Sequence, residues 1–190
     1  MSLANGRHYL AIPGPSVVPD RVLAAMHRPA PNIYSGDLVT LVQSVIPDLK
    51  AIARTRHNAT IYISNGHGAW EAALSNVLSR GDKVLVLATG RFGIGWGEIA
   101  TGLGGGVEVI DCGKNSDVDL PRVSAALSAD KSHEIKAVLV CHVDTSTGVR
   151  NDIAGLRACM DGADHPALLM GTASRRWPAS ASRWTNGVSM

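Results

Sequence analysis

Three short stretches of this 190-residue chain join glycine, hydroxyl and aromatic side chains at places where backbone could meet a ligand. The first is Ser64-Asn65-Gly66-His67-Gly68, between an apolar run and a helical pattern. The opening N–H groups of a helix lack partners and its dipole favours an anion. Glycine lets that anion come close. A phosphate suits such a turn, and so does a tight turn with no ligand. The P-loop pattern is absent, and Glu71 stands where the third glycine of a dinucleotide fingerprint belongs. The second stretch, TGRFGIGWGEIA, holds Phe92, the only phenylalanine. Its ring could stack on a flat ligand or fold onto the core. The third, CHVDTSTGV, places His142, Asp144, Thr145, Ser146 and Thr147 after an apolar run. Those hydroxyls could hold a ring oxygen or a phosphate, or cap a turn. A Ser/His/Asp triad is conceivable there, without a GxSxG elbow to support it. Together the three loops describe a pocket for a flat, phosphorylated ligand.

The elements that must position them follow from periodicity. KVLVLA (83–88) and IKAVLVCHV (135–143) are continuous apolar runs, as expected of strands buried on both faces. IYIS (61–64), VEVID (107–111) and HPALLM (165–170) read as further strands. Helical spacing predicts helices over 21–26, 38–49, 70–78, 96–103, 120–127 and 153–160, with Asp20, Asp37 and Asp152 as caps and Pro47 as a kink or break. The order βαβαβαβ predicts an α/β fold: a mostly parallel sheet with helices on both faces. Ligands of such sheets sit beyond the carboxyl ends of the strands, where the three loops fall.

Composition narrows the class. Apolar residues make up 45% of the chain with no membrane-length run, and the N-terminus has no signal-peptide pattern. Cys112, Cys141 and Cys159 are odd in number and widely spaced. Cys112 and Cys141 read as buried thiols, with no disulfide framework or metal site, and a cytoplasmic location is expected. The net charge is +2, and the last twenty residues carry three arginines and no acid. That is a weak footprint for nucleic acid, so none is expected as a partner.

HYLAIPGPSVVPDRVLAAMHRP, SNGHGAWEAALSNVLSRGDKVLV and AVLVCHVDTSTGV resemble the class V, fold-type I aminotransferases that use pyridoxal phosphate, especially the serine–glyoxylate and alanine–glyoxylate group. The likeness spans residues 8–170, about half of such an enzyme. It implies a homodimer acting on a small amino acid and a 2-oxo acid. By position, Asn65, Gly66 and His67 would meet the cofactor phosphate, Phe92 would stack on the pyridine, and Thr145 would stand beside the phenolic oxygen. Pro13 and Gly14 would border the substrate pocket. The family often reads Asn-Glu where this chain has Val143-Asp144.

Transamination needs two groups more: a carboxylate on the pyridine nitrogen and a lysine for the Schiff base. The family's aspartate should end the strand that begins HPALLM, but GTASRRWPASASRWTNGVSM follows. Read one base earlier, from the third base of the Gly171 codon, this tail can encode DCIASLACVGFEMDEWGVD with permitted synonyms, which looks like the family's continuation. Lys83 and Lys136 begin strands at the end away from the pocket, Lys50, Lys114 and Lys131 read as solvated charges, and none stands at the Schiff-base position. The expected organisation is an N-terminal arm with an active-site loop (1–36), a partial cofactor-binding large domain (37–170), and an out-of-frame tail (171–190). The expected function is a truncated serine/alanine–glyoxylate-type aminotransferase, inactive as this chain alone. A non-catalytic α/β module for a phosphorylated ligand and a nucleotide-dependent oxidoreductase are the alternatives.

Overall fold

Two adjacent strands carry the core because their residues alternate between two apolar faces. In β1 (Lys83–Ala88), Val84 and Val86 point to one side and Leu85 and Leu87 to the other, all fully buried. β3 (Ile135–Cys141) repeats the pattern, with Ala137 and Leu139 on the first side and Val138 and Val140 on the second. Each such Val or Leu stabilises the fold by about 1.5–3 kcal/mol. A sheet apolar on both faces must be covered on both, and it is.

The structure, a computed structural model, describes residues 12, 14 and 17–173, with the backbone of 188–189. The helices are α1 (Asp20–Met26), α2 (Asp37–Ala53), α3 (Gly66–Val77), α4 (Arg91–Gly102), α5 (Leu120–Ala129) and α6 (Ile153–Gly162). The remaining strands are β2 (Gly106–Asp111), β4 (Leu168–Thr172) and the short β5 (Val188–Ser189). The sheet runs β2-β1-β3-β4-β5, with every pairing parallel. Trp70 and Leu74 of α3 and Trp96 and Ala100 of α4 cover one face, with Met170. Val123 and Leu127 of α5 and Leu156 and Met160 of α6 cover the other. The α/β expectation, with helices on both faces, is met.

The chain divides into two compact units, Met1–Val45 and Ile46–Met190. The first unit contains α1 and the start of α2, and no residue of either helix is buried. The division falls inside α2. α2 continues through Pro47 to Ala53, so the chain does not break there.

The first expected strand is absent. Residues 61–64 form no strand, and Ile61, Tyr62 and Ile63 are exposed. A short apolar run becomes a strand only where a neighbour accepts its backbone hydrogen bonds, and this segment pairs with none of the described strands. α4 starts at Arg91, five residues before the periodicity at Trp96 suggests, because a cap from elsewhere in the chain holds its glycine-rich first turn. Cys141 is buried as expected, whereas Cys112 is half-buried at the end of the edge strand β2. Asp152 caps α6 as read, accepting from Gly155 N–H at 3.0 Å.

Candidate functional site

The carboxyl ends of β1 and β3 lie side by side, with Leu87 in register with Val140. Each strand then hands the chain to a polar loop, and α3 brings its N-terminus alongside. A cavity of about 450 Å³ opens between them. Gly66 and His67 come from the first turn of α3, Phe92 from the first turn of α4, and Val143 and Thr145 from the loop after β3. Trp70, Ala69, Cys141, Thr172 and Ala173 complete its lining.

Of the residues singled out from sequence, the cavity gathers Gly66, His67, Phe92 and Thr145. Asn65 caps α3: its Oδ1 accepts from Gly68 N–H at 3.2 Å. An added Cβ on Gly68 would stand 2.7 Å from the Ser64 side chain, so this turn needs glycine there. Gly14 is exposed in the N-terminal unit, and Pro13 lies outside the described residues.

The cavity has an aromatic wall. The His67 ring meets Trp70 edge-on at 4.8 Å, and Phe92 lies 6.3 Å from both rings. Trp70 in turn stacks on buried Trp96 at 5.4 Å. Offset and edge-to-face aromatic pairs at such distances are attractive and directional. Trp70 is only 4% exposed on the core face of α3, and the same ring borders the cavity.

Sequence reasoning left Asp144 as a triad candidate, and the structure gives it another task. Its carboxylate is fully buried. Oδ2 accepts from the Phe92 and Gly93 amides at 3.0 and 3.1 Å. Oδ1 accepts from Ser146 N–H at 2.9 Å and Ser146 Oγ–H at 2.6 Å. Ser146 Oγ also accepts from Arg91 N–H at 2.9 Å. An acid fifty residues downstream thus caps α4, whose own N-cap, Gly90, has no side chain to offer.

Asn151 was missed entirely. It is 2% exposed, donates to Thr89 Oγ1 and to the Cys141 carbonyl, and accepts from Val118 N–H. It ties the ends of β1 and β3 to the segment before α5. The signal was an asparagine next to the capping Asp152, which reads as ordinary turn chemistry.

The lining is apolar and weakly charged. Among the lining residues none is acidic and none is lysine or arginine. Burial, with Asp144 nearby, pushes the Cys141 thiol up to about 12, so it stays protonated. Lys83 and Lys136 start their strands at the opposite end of the sheet. Lys83 pairs with Glu134, whose hydrogen bond raises its pKa, and Lys136 donates to the His133 carbonyl. Lys114 and Lys131 are exposed as expected, while Lys50 is half-buried in the last turn of α2.

Comparison with known proteins agrees with this layout. Residues 8–169 match the family model for aminotransferase class-V. The chain is 41% identical to the serine–glyoxylate aminotransferase of Hyphomicrobium methylovorum over 163 residues, which is 85% of this chain and 40% of that protein. It is 36% identical to the Arabidopsis thaliana serine–glyoxylate aminotransferase over 166 residues, covering 41% of that protein. Among solved structures, pyridoxamine–pyruvate aminotransferase from Mesorhizobium loti superposes with a TM-score of 0.73 at 28% identity, covering 84% of this chain and 40% of that one. Ureidoglycine–glyoxylate aminotransferase from Bacillus subtilis gives 0.71 at 26% identity, covering 85% and 41%. The chain therefore spans about two fifths of the length of these relatives. A parallel sheet whose strand-end loops enclose one cavity, and a family match over most of the chain, place this protein in the class-V aminotransferases.

Proposed function

We propose that this chain is the N-terminal part of a serine/alanine–glyoxylate-type aminotransferase, that it binds pyridoxal phosphate without a covalent bond, and that it does not transfer an amino group by itself. One observation carries the reading: Gly66, His67, Phe92 and Thr145, from the first turns of α3 and α4 and the loop after β3, line a single cavity. Its volume, about 450 Å³, suits a ligand of this size. The opening turn of α3 would take the phosphate on its backbone N–H groups. The Phe92 ring would lie against the pyridine, and the Thr145 hydroxyl would meet an oxygen on the ring.

When bound, pyridoxal phosphate supplies an electron sink for carbanion chemistry. This chain's contribution would be to bind it, orient it and keep water from one face. No lysine lines the cavity to form a Schiff base. Thr172 and Ala173 stand at the end of β4, where the family resemblance implies an aspartate. In the complete enzyme, an amino acid and a 2-oxo acid would be the substrates, a homodimer the assembly and the cytoplasm the compartment. Among the described residues, no helix is long and apolar enough to cross a membrane. The proposed out-of-frame tail falls largely outside the described residues. Sequencing the gene tests it: a downstream frame continuing from an aspartate codon supports it, and DNA with no coherent second frame counts against it.

The binding experiment is a titration of the purified chain with pyridoxal phosphate, followed by tryptophan quenching and by absorbance before and after borohydride. Saturable quenching without a site-specific reduced adduct is expected. A single lysine labelled stoichiometrically would contradict the non-covalent reading. A second reading, a module for other phosphorylated small molecules, is favoured by the same lysine-free lining. Tighter binding of a ring-free phosphate ester than of pyridoxal phosphate would select it.

A further inference from the structure

We infer that Asp144 is a positioning residue that holds the Phe92 ring in the cavity wall through the backbone of α4. The inference rests on the proposed binding of a flat, ring-bearing ligand only for the identity of that ligand. The geometry stands without it.

Phe92 sits in the first turn of a helix with three glycines among its first seven residues, at 93, 95 and 97. Glycine confers little helical preference, and α4's N-cap makes no side-chain hydrogen bond. Left to local forces, this turn would fray and its one aromatic ring would wander. Asp144 replaces the missing cap. Its Oδ2 takes the amide of Phe92 itself and that of Gly93, so the carboxylate grips the residue that carries the ring. Asp144 is itself held, with Oδ1 bound to the Ser146 amide and hydroxyl, while Ser146 secures the Arg91 amide. The loop that grips the helix also carries Thr145, so the Phe92 and Thr145 sides of the cavity are set by one carboxylate. Charge-assisted bonds of this kind are the stronger ones. Because the carboxylate is fully buried, water cannot take its place. Asp144 does not line the cavity, so its effect on a ligand must pass through Phe92 or the adjacent Thr145, and the ring contacts report the Phe92 route alone.

The test compares the wild-type chain with Asp144→Asn and Ser146→Ala. Asparagine retains the shape but has only one acceptor oxygen and presents an NH₂ group to amides that need acceptors. Two readouts are taken. The first is the set of proton–proton contacts between Phe92 and Trp70 in the ligand-free chain, which wild type should show because the rings are 6.3 Å apart. The second is the pair of dissociation constants for pyridoxal phosphate and for inorganic phosphate. Asp144→Asn should lose the Phe92–Trp70 contacts and bind pyridoxal phosphate about three- to tenfold more weakly, the range expected for a lost aromatic contact. Its affinity for inorganic phosphate should not change, since α3 would receive that group. A general loss of structure would weaken both ligands together. Ser146→Ala should shift the same readouts in the same direction by less, and it carries the test should the asparagine variant not fold. Unchanged ring contacts in a folded variant, or equal weakening of both ligands, would overturn the inference. If the wild-type chain binds neither ligand, the binding reading fails and the ring contacts still decide the role of Asp144.

Discussion

The Asp144 carboxylate occupies the space that a side chain on Gly90 would need: an ideal Cβ there would lie 2.4 Å from Asp144 Cγ and 2.5 Å from Oδ1. One residue is glycine because the other is a buried acid. This pair joins the end of β1 to the loop after β3, the two strand ends that frame the cavity.

Gly90→Ala should therefore displace the Asp144 cap. The backbone conformation is open to any residue, since φ at Gly90 is extended at 173°, so the cost is steric. A loss of about 1–3 kcal/mol is expected, as for overpacking at other tight sites. Urea unfolding should show a lower midpoint with an unchanged slope. A variant as stable as wild type would mean that the loop yields more easily than its four hydrogen bonds imply.

Asn151→Ala should also destabilise the fold. It would strand the buried Val118 amide and the Cys141 carbonyl together with the Thr89 hydroxyl. Leaving buried polar groups without partners costs about 2–3 kcal/mol here, given typical penalties per group. Amide exchange at Val118 is the local readout and should quicken in the variant. Aspartate at this position should do no better, because it offers no N–H donor to either acceptor.

Acid should weaken one corner of the molecule far from the cavity. Burial disfavours the Asp130 carboxylate, but the Ile135 and Glu134 amides and His165 outweigh it and hold its pKa below the ordinary value. His165 takes the Ala167 N–H on Nδ1, so its Nε2 carries the proton and donates to Asp130 at 3.2 Å. A depressed carboxyl pKa stabilises the fold above the unfolded value of about 3.9, and this contribution is lost as pH falls through the folded value. Asp130→Asn should unfold at lower urea than wild type at pH 6. The difference should shrink as pH falls below about 4, the unfolded value, and through the lower folded one. A difference that stays constant as the pH falls would exclude the ionised carboxylate as its source.

Cys141 should resist alkylation in the folded chain. With its thiol pushed up to about 12, about one molecule in ten thousand is thiolate at pH 8. Peptide mapping after brief iodoacetamide treatment should find Cys112 and Cys159, both half-buried, modified ahead of Cys141. Unfolding in urea should equalise the three. Early modification of Cys141 in the native chain would show that the cavity floor opens.

Much of the fold was legible along the chain. The runs at 83–88 and 135–143 read as strands buried on both faces, because beyond Lys83, Lys136 and His142 they are apolar at successive positions. The cap Asp152 marked its helix by its spacing to the following amide. Gly66-His67-Gly68 marked the opening of a helix for the same local reason. Residues 61–64 failed because strand formation is a property of two segments, and a run of apolar residues names only one.

The sequence by itself determined which residues favour helix, strand or turn, and that three polar loops follow apolar segments, since propensity, periodicity and capping act over a few neighbouring residues. Tertiary structure alone decided that Phe92, Thr145 and the start of α3 share one cavity, and that Asp144 caps a helix fifty residues before it in the chain. Those relations depend on which strands lie side by side, and the pairing of β1 with β3 is made by backbone hydrogen bonds that carry no local mark in the residues themselves.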